Sequence, residues 1–288
     1  MSARHLSAAL RGGIFALLAS VWGAAATAGA QGVPQRIVSL APSVTEVLFE
    51  AGLGPRVVGV TSYCRFPREV LALPNVGGYL TPSYEALVAL QPDLVVTLPE
   101  HADLEPRLAA LGIPILRVDH RSLDGIVRSI VSVGERSGAS ARANRAADAL
   151  RAELAAAGRI TAGRPRPRVL ILFGRSEDFR RLYAAAPGTV HDDLIAQAGG
   201  QNVLTSRAVS YPTLSPEGVM RLDPDVIVEF SPDGTDVPAL RRQWNVLDSV
   251  RAVKTGRVYV FTGEFLSVPG PRFARLADTI ARAIRGER

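Results

Sequence analysis

The sequence is poor in several things, and each shortage excludes something. Cys64 is the only cysteine, so no internal disulfide can form. A lone thiol in an apolar setting reads as a small packed residue. Lys254 is the only lysine, and the basic side chains are otherwise arginines, scattered along the chain. The net charge of +6 therefore does not concentrate into the basic, aromatic-laced face that nucleic-acid binding requires. Aromatic residues make up only 6 %. No GxxxxGK[ST] loop, G-x-G-x-x-G turn or G-x-S-x-G elbow occurs, which argues against nucleotide hydrolysis, dinucleotide binding and serine hydrolase chemistry. Ser39, Asp119 and His120 fall at strand ends, but spacing alone provides no nucleophile–base pair. No catalytic residue is assigned.

Long hydrophobic runs are also missing. Arg4 and Arg11 precede a short apolar stretch over 14–21, broken by Ser20 and Gly23, and Ala28-Gly29-Ala30 follows. This pattern predicts a signal peptide over 1–30 cleaved near Ala30, because the stretch is shorter than the roughly 20 residues a span needs. A membrane anchor is the alternative. With no cysteine at the cleavage site, a lipid anchor there is disfavoured. Loss of the leader removes two arginines and lowers the charge to +4. An exported chain with no anchor points to the periplasm.

What the sequence does contain is a duplication. Ser83-Tyr84-Glu85 leads through Leu90 to Pro92-Asp93-Leu94-Val95-Val96. Ser215-Pro216-Glu217 leads through Leu222 to Pro224-Asp225-Val226-Ile227-Val228. The shared residues align at one offset of 132 positions, which also aligns Arg36-Ile37-Val38-Ser39-Leu40 with Arg168-Val169-Leu170-Ile171-Leu172. Each half alternates short apolar runs with helical periodicity, which predicts α/β lobes with parallel sheets. Strands are expected at 37–40, 57–60, 94–97, 113–118, 169–173, 226–230 and 258–261. Ser43 and Glu46 have capping-box spacing, Gly52 or Gly54 should close that helix, and a C-terminal helix should run from Pro271 to Ile284. The segment 141–157 is rich in alanine and arginine, strong helix formers, with Gly158 and the Pro-rich 163–167 to end it. A rigid helix, not a flexible hinge, should therefore join the halves. The expected organisation is an N-terminal α/β lobe at 31–138, a connecting helix and linker at 139–165 and a C-terminal α/β lobe at 166–288.

These segments resemble the periplasmic solute-binding proteins whose two Rossmann-like lobes are joined by one long α-helix. That group serves importers of cobalamin, haem and iron–siderophores. The run from Arg36 to Glu46 is similar to the cobalamin-binding members, as are Thr61-Ser62-Tyr63-Cys64-Arg65-Phe66-Pro67 and the Glu85 and Glu217 segments. So is Asp192-Asp193-Leu194-Ile195 leading to Gly199-Gly200. The resemblance implies a monomeric carrier, with no cofactor of its own, that takes a corrinoid (cobalamin or cobinamide) between the lobes. It would deliver that ligand to an ABC importer permease in the inner membrane. It further implies that Glu85 and Glu217 dock with that permease, whereas the residues alone are better read as helix-dipole glutamates.

By the same resemblance Tyr63, Tyr79, Phe173 and Tyr211, with Phe265 and Glu264, would line the ligand cleft; loop packing is the alternative. Some cobalamin binders carry tryptophan where this chain has Tyr79, Leu98 and Tyr211. Arg65, Arg175, Arg180 and Arg207 fall on loops near the expected mouth. If several face the cleft, haem or a ferric siderophore gains ground, and Tyr63 could ligate haem iron. His101, His120 and His191 lack tight ligand spacing and read as surface loop residues. Their convergence with Asp192 on zinc or manganese is a distant alternative, as is an enzyme on two α/β lobes.

Overall fold

The computed structural model describes residues 32–287. The expected signal peptide lies outside them. Among the described residues no helix is long and apolar enough to cross a membrane.

The first half forms β1 (Ile37–Ser39), α1 (Pro42–Glu50), β2 (Val57–Val60), α2 (Tyr84–Ala89), β3 (Leu94–Thr97), α3 (Glu105–Ala110), β4 (Ile115–Arg117) and α4 (Leu123–Arg136). Its four strands pair in parallel in the order β2-β1-β3-β4. The strands read as unbroken apolar runs because helices cover both faces: Ile37, Val38, Leu94, Val95 and Val96 are all fully buried. α5 (Ser140–Ile160) follows, 21 residues and about 31 Å long. It packs on α4 and is the helical joint that composition predicts. Gly158 does not end it. The helix runs on through that residue, where a Cβ would press on Gln197 at 3.3 Å, so the glycine serves close packing.

The second half contains β5 (Arg168–Arg175), β6 (Leu182–Ala184), α6 (Val190–Gln197), β7 (Gln201–Asn202), β8 (Thr213–Leu214), α7 (Pro216–Leu222), β9 (Val226–Ser231), α8 (Val237–Gln243), α9 (Arg251–Lys254), β10 (Val258–Thr262), α10 (Pro271–Ala274) and α11 (Leu276–Arg285). The expected single C-terminal helix is broken at Arg275. The second sheet has the expected parallel core with additions at one side. Strands β10, β9 and β5 are parallel, but β6 and β8 extend the sheet antiparallel, while β7 pairs with the start of β5. Those extra strands are two or three residues long, too short for periodicity to reveal.

The duplication is visible in hydrogen bonds. In the first half the Asp93 carboxylate accepts the backbone N–H groups of Gln35 and Arg36 at 2.7 and 2.8 Å. The Arg36 guanidinium donates to the Leu90 carbonyl. In the second half Asp225 accepts from the Arg168 N–H at 2.8 Å, and Arg168 donates to the Asp223 carbonyl. Gln91 and Asp223, 132 apart, both take left-handed φ, +45° and +41°. Each Pro-Asp pair thus clamps the first strand of its half to a parallel neighbour, β1 to β3 and β5 to β9. Removal of either carboxylate leaves backbone donors short of a partner, so Asp93→Ala and Asp225→Ala should each cost about 1–3 kcal/mol. Asp225→Ala should cost the more, because Asp225 also holds Arg251 at 2.7 Å. Denaturant melts of the two variants check this order.

The halves meet across α1, α4 and α10. Ser43 and Glu46 do not form a capping box. Pro42 opens α1 from Ala41 without a side-chain cap. Ser43 turns instead to His120, and Glu46 accepts from the Arg272 side chain at 2.7 and 2.9 Å and from its backbone N–H at 3.3 Å. Arg275 bridges Glu50 and Glu153, both at 2.7 Å. Asp193 accepts the Leu123 N–H at 3.0 Å, so the start of α4 rests on the second half. Residues 33–287 fall within one compact unit.

Candidate functional site

Ligands in open α/β sheets gather outside the carboxyl ends of the strands, and the two sheets present those ends to a common cleft. Its volume is about 1110 Å³, at the upper end for small-molecule sites. The wall is assembled strand by strand. Ala41, Pro42 and Ser43 follow β1; Tyr63, Arg65 and Phe66 follow β2; Leu98 and Glu100 follow β3; His120 and Arg121 follow β4. Opposite, Phe173 belongs to the end of β5, Phe230, Ser231 and Pro232 come from the end of β9, and Glu264 follows β10.

The structure brings together five of the six expected ligand contacts: Tyr63, Tyr79, Phe173, Tyr211 and Glu264 all line the cleft. Phe265 is the exception. It is not among the lining residues and packs half-buried against the core beside Arg272. Tyr79 and Tyr211 are 132 positions apart, as are Leu98 and Phe230, so each lobe offers the cleft an equivalent pair. The shared offset by itself marks Leu98 and Phe230 as counterparts.

Tyr79 is held by a neighbour. The Leu98 N–H donates to His101 Nδ1 at 2.9 Å, which leaves Nε2 to carry the proton and donate to the Tyr79 carbonyl, also at 2.9 Å. The two rings meet edge to face at 4.9 Å. Burial, with the Glu100 carboxylate beside it, pushes the Tyr79 hydroxyl up to about 12. Burial also raises Tyr211. Both phenols therefore remain protonated hydrogen-bond donors at neutral pH.

The histidines are not surface residues. His101, His120 and His191 are all buried. His191 opens α6 inside a box of aromatic rings: Phe273 at 5.1 Å, Tyr211 at 5.7 Å, Phe173 at 5.9 Å and Phe230 at 6.0 Å. His120 pairs its Nδ1 with Ser43 Oγ at 2.9 Å. His120 Nε2 and His191 Nδ1 are buried with no hydrogen-bond partner among the described residues. Asp192 is occupied elsewhere, accepting from the Gly188 N–H and the Asn202 amide. Among the described residues no three histidine, cysteine, aspartate or glutamate side chains converge as metal ligands would. Cys64 is buried against Thr45 and Thr61, a packed residue as expected.

Of the four arginines expected near the mouth, only Arg65 lines the cleft. Arg175 is buried on Glu229 at 2.9 Å and lies over the Phe179 and Trp244 rings. Its neighbours Glu229 and Trp244 belong to the second-lobe core, and Trp244 Nε1 donates to the same carboxylate. Arg180 pairs with Asp178 in an exposed loop, and Arg207 lies beside Gly188. Arg121 and Arg272 also line the cleft, although nothing in their local sequence marks them. Both are already matched by acids, Arg121 by Asp119 and Arg272 by Glu46 and Glu264. Arg272 also lies 3.9 Å from the Phe66 ring centre. The cleft is therefore largely aromatic and aliphatic, with its charges mostly balanced within the protein.

Such a fold and cleft can be placed among known proteins. The periplasmic binding protein family model matches residues 37–264. The chain belongs to that family. It is 28 % identical over 256 residues to the vitamin B12-binding protein of Pectobacterium carotovorum, covering 87 % of this chain and 88 % of the relative. It is 30 % identical over 206 residues to the vitamin B12-binding protein of Pectobacterium atrosepticum, covering 69 % and 72 %. Among solved structures, the periplasmic vitamin B12-binding protein of Vibrio cholerae superposes with a TM-score of 0.76 at 26 % identity, covering 88 % of this chain and 97 % of that one. The apo periplasmic haem-binding protein of Roseiflexus sp. RS-1 superposes with a TM-score of 0.73 at 29 % identity, covering 88 % and 98 %. The site in this chain is a cleft lined from the ends of two sheets.

The buried histidines set a pH dependence. Burial lowers both His120 and His191 to about 4 from an ordinary 6.5, Asp119 opposing this only in part for His120. Between those values the unfolded chain binds protons that the folded chain refuses, so stability falls as pH drops through this window. Each histidine should cost about 2 kcal/mol near pH 5 relative to neutrality. Thermal melts of His120→Asn and His191→Phe should show a flatter fall between neutral and about pH 5 than the parent.

Proposed function

We propose that this protein is the periplasmic solute-binding component of an ABC importer and that it carries a corrinoid, cobalamin or cobinamide, in the cleft. The lobes would be 31–138 and 166–288, joined through 139–165, and the segment up to Ala30 would direct export and be cleaved off in the course of it. The observation that carries the ligand assignment is the cleft itself, about 1110 Å³ lined by the paired Tyr79 and Tyr211 with Phe173 and Phe230. A bulky macrocycle fits such a volume. Its flat faces suit aromatic rings, and its peripheral amides suit phenol hydroxyls. The vitamin B12-binding relatives support the same reading.

Tyr63, Tyr79, Phe173 and Tyr211 would contact the ligand, with Glu264 at the rim. Phe265 would act behind that wall, through Arg272. The second reading, haem, has the Roseiflexus protein in its favour. The charge balance argues against it. Haem's two propionates call for free guanidinium groups, whereas Arg121 and Arg272 are already paired with carboxylates and Arg65 is the one cleft arginine with no ion pair among the described residues.

Titration of the purified protein with cyanocobalamin, cobinamide and haemin, followed in the visible spectrum, tests the choice. Micromolar or tighter corrinoid binding is expected. No corrinoid binding together with haemin binding would overturn it. Tyr79→Ala and Tyr211→Ala should each weaken corrinoid binding about tenfold, the loss of a stacking and hydrogen-bonding contact.

Glu85 and Glu217 would dock the loaded protein on the permease. Both are exposed in the first turn of helices capped by Ser83 and Ser215. A hydrogen bond with the Ser215 side chain holds the Glu217 carboxyl below the usual range, so it is ionised at neutral pH. Glu85→Ala with Glu217→Ala should abolish corrinoid uptake by cells while the spectral titration is unchanged; lost titration would point to misfolding instead.

A further inference from the structure

The helices that carry Glu85 and Glu217 match beyond those two side chains. Residues 83–90 and 215–222 repeat one order of exposure: exposed, half-buried, exposed, half-buried, buried, exposed, exposed, half-buried. The buried position, Leu87 in α2 and Val219 in α7, anchors each helix to its lobe. The next position carries an apolar side chain that the fold leaves outside. Val88 is 47 % exposed and Met220 is 44 % exposed, and they too are 132 positions apart. A single exposed valine or methionine is ordinary. The same exposure at the same turn of both docking helices is harder to ascribe to chance. Each lies three residues after its glutamate and so shares the glutamate's helix face.

We propose that Glu85 with Val88 and Glu217 with Met220 form two equivalent two-part contact patches for the two permease subunits. In each patch the carboxylate meets a basic group of the permease, and one turn on the apolar side chain enters an apolar recess beside that group. This rests on the docking reading of the two glutamates and adds a division of labour to it. The carboxylates steer encounter and fix register, an effect that salt screens. The apolar pair supplies desolvated contact that salt does not screen, and methionine in particular adapts to an irregular recess. Neither side chain lines the cleft, so neither contributes to ligand affinity.

The experiment measures binding of the corrinoid-loaded protein to the purified permease–ATPase of the same importer, reconstituted in lipid nanodiscs, across a range of salt. Three forms are compared: the parent, Val88→Ser with Met220→Ser, and Glu85→Gln with Glu217→Gln. The serine pair should bind about tenfold or more weakly at every salt concentration, with the parent's salt slope preserved. The glutamine pair should bind weakly at low salt and lose most of the slope. If the serine pair binds like the parent while the glutamine pair fails, the apolar contact is refuted and the docking reading stands. If both variants bind like the parent, the docking reading itself fails. Val88→Thr with Met220→Leu, which keeps bulk, should sit between parent and serine pair. Unchanged melting temperature and corrinoid titration exclude misfolding.

Discussion

The cleft depends on a carboxylate that reaches across it. Glu46 stands on the first helix of the first lobe, nearly withdrawn from solvent, and receives both the side chain and the backbone of Arg272 from the second lobe. Burial alone pushes the Glu46 carboxyl up, and the Arg272 guanidinium opposes that shift. A buried carboxylate is costly without such a partner, so each lobe supplies what the other needs. The same arginine then orders the cleft floor, reaching Glu264 and lying over Phe66. With Arg275 and Asp193 adding further bridges, the wall aromatics of the two lobes are held at set positions.

The walls of the cleft are held by contacts of their own. The His101 bridge from Leu98 to the Tyr79 carbonyl fixes one wall, and the aromatic box around His191 fixes the other. A preformed site spends less on ordering side chains at binding, which favours affinity over adaptability.

Much of the architecture is legible in the sequence because it is local or repeated. Buried parallel strands announce themselves as apolar runs, and the alanine-rich stretch before the second lobe announces α5. The 132-residue offset locates the two helices that carry Glu85 and Glu217 and, carried further, pairs Tyr79 with Tyr211. What cannot be read depends on partners distant in the chain. Ser43 and Glu46 have the spacing of a helix cap, yet both side chains are claimed by residues from elsewhere, His120 and Arg272. The three histidines look like loop polar residues until the fold buries them. Arg175 resembles a mouth residue for the same reason, since its partners Glu229 and Trp244 lie far along the chain. Phe265 sits one residue from a lining side chain, and periodicity cannot say which neighbour faces inward.

The contact between Glu46 and Arg272 spans 226 residues of chain. Closing so long a loop costs roughly 5 kcal/mol in chain entropy. Each lobe's own sheet pairs strands much nearer in sequence, so the sheets can form while this closure is still unmade. The bond that shapes the cleft is thus not needed for either sheet to form. For a chain threaded through a membrane from its N-terminus, Glu46 would emerge early and wait, uncompensated, for the segment around residue 272. The carrier becomes a carrier only when nearly all of it has arrived.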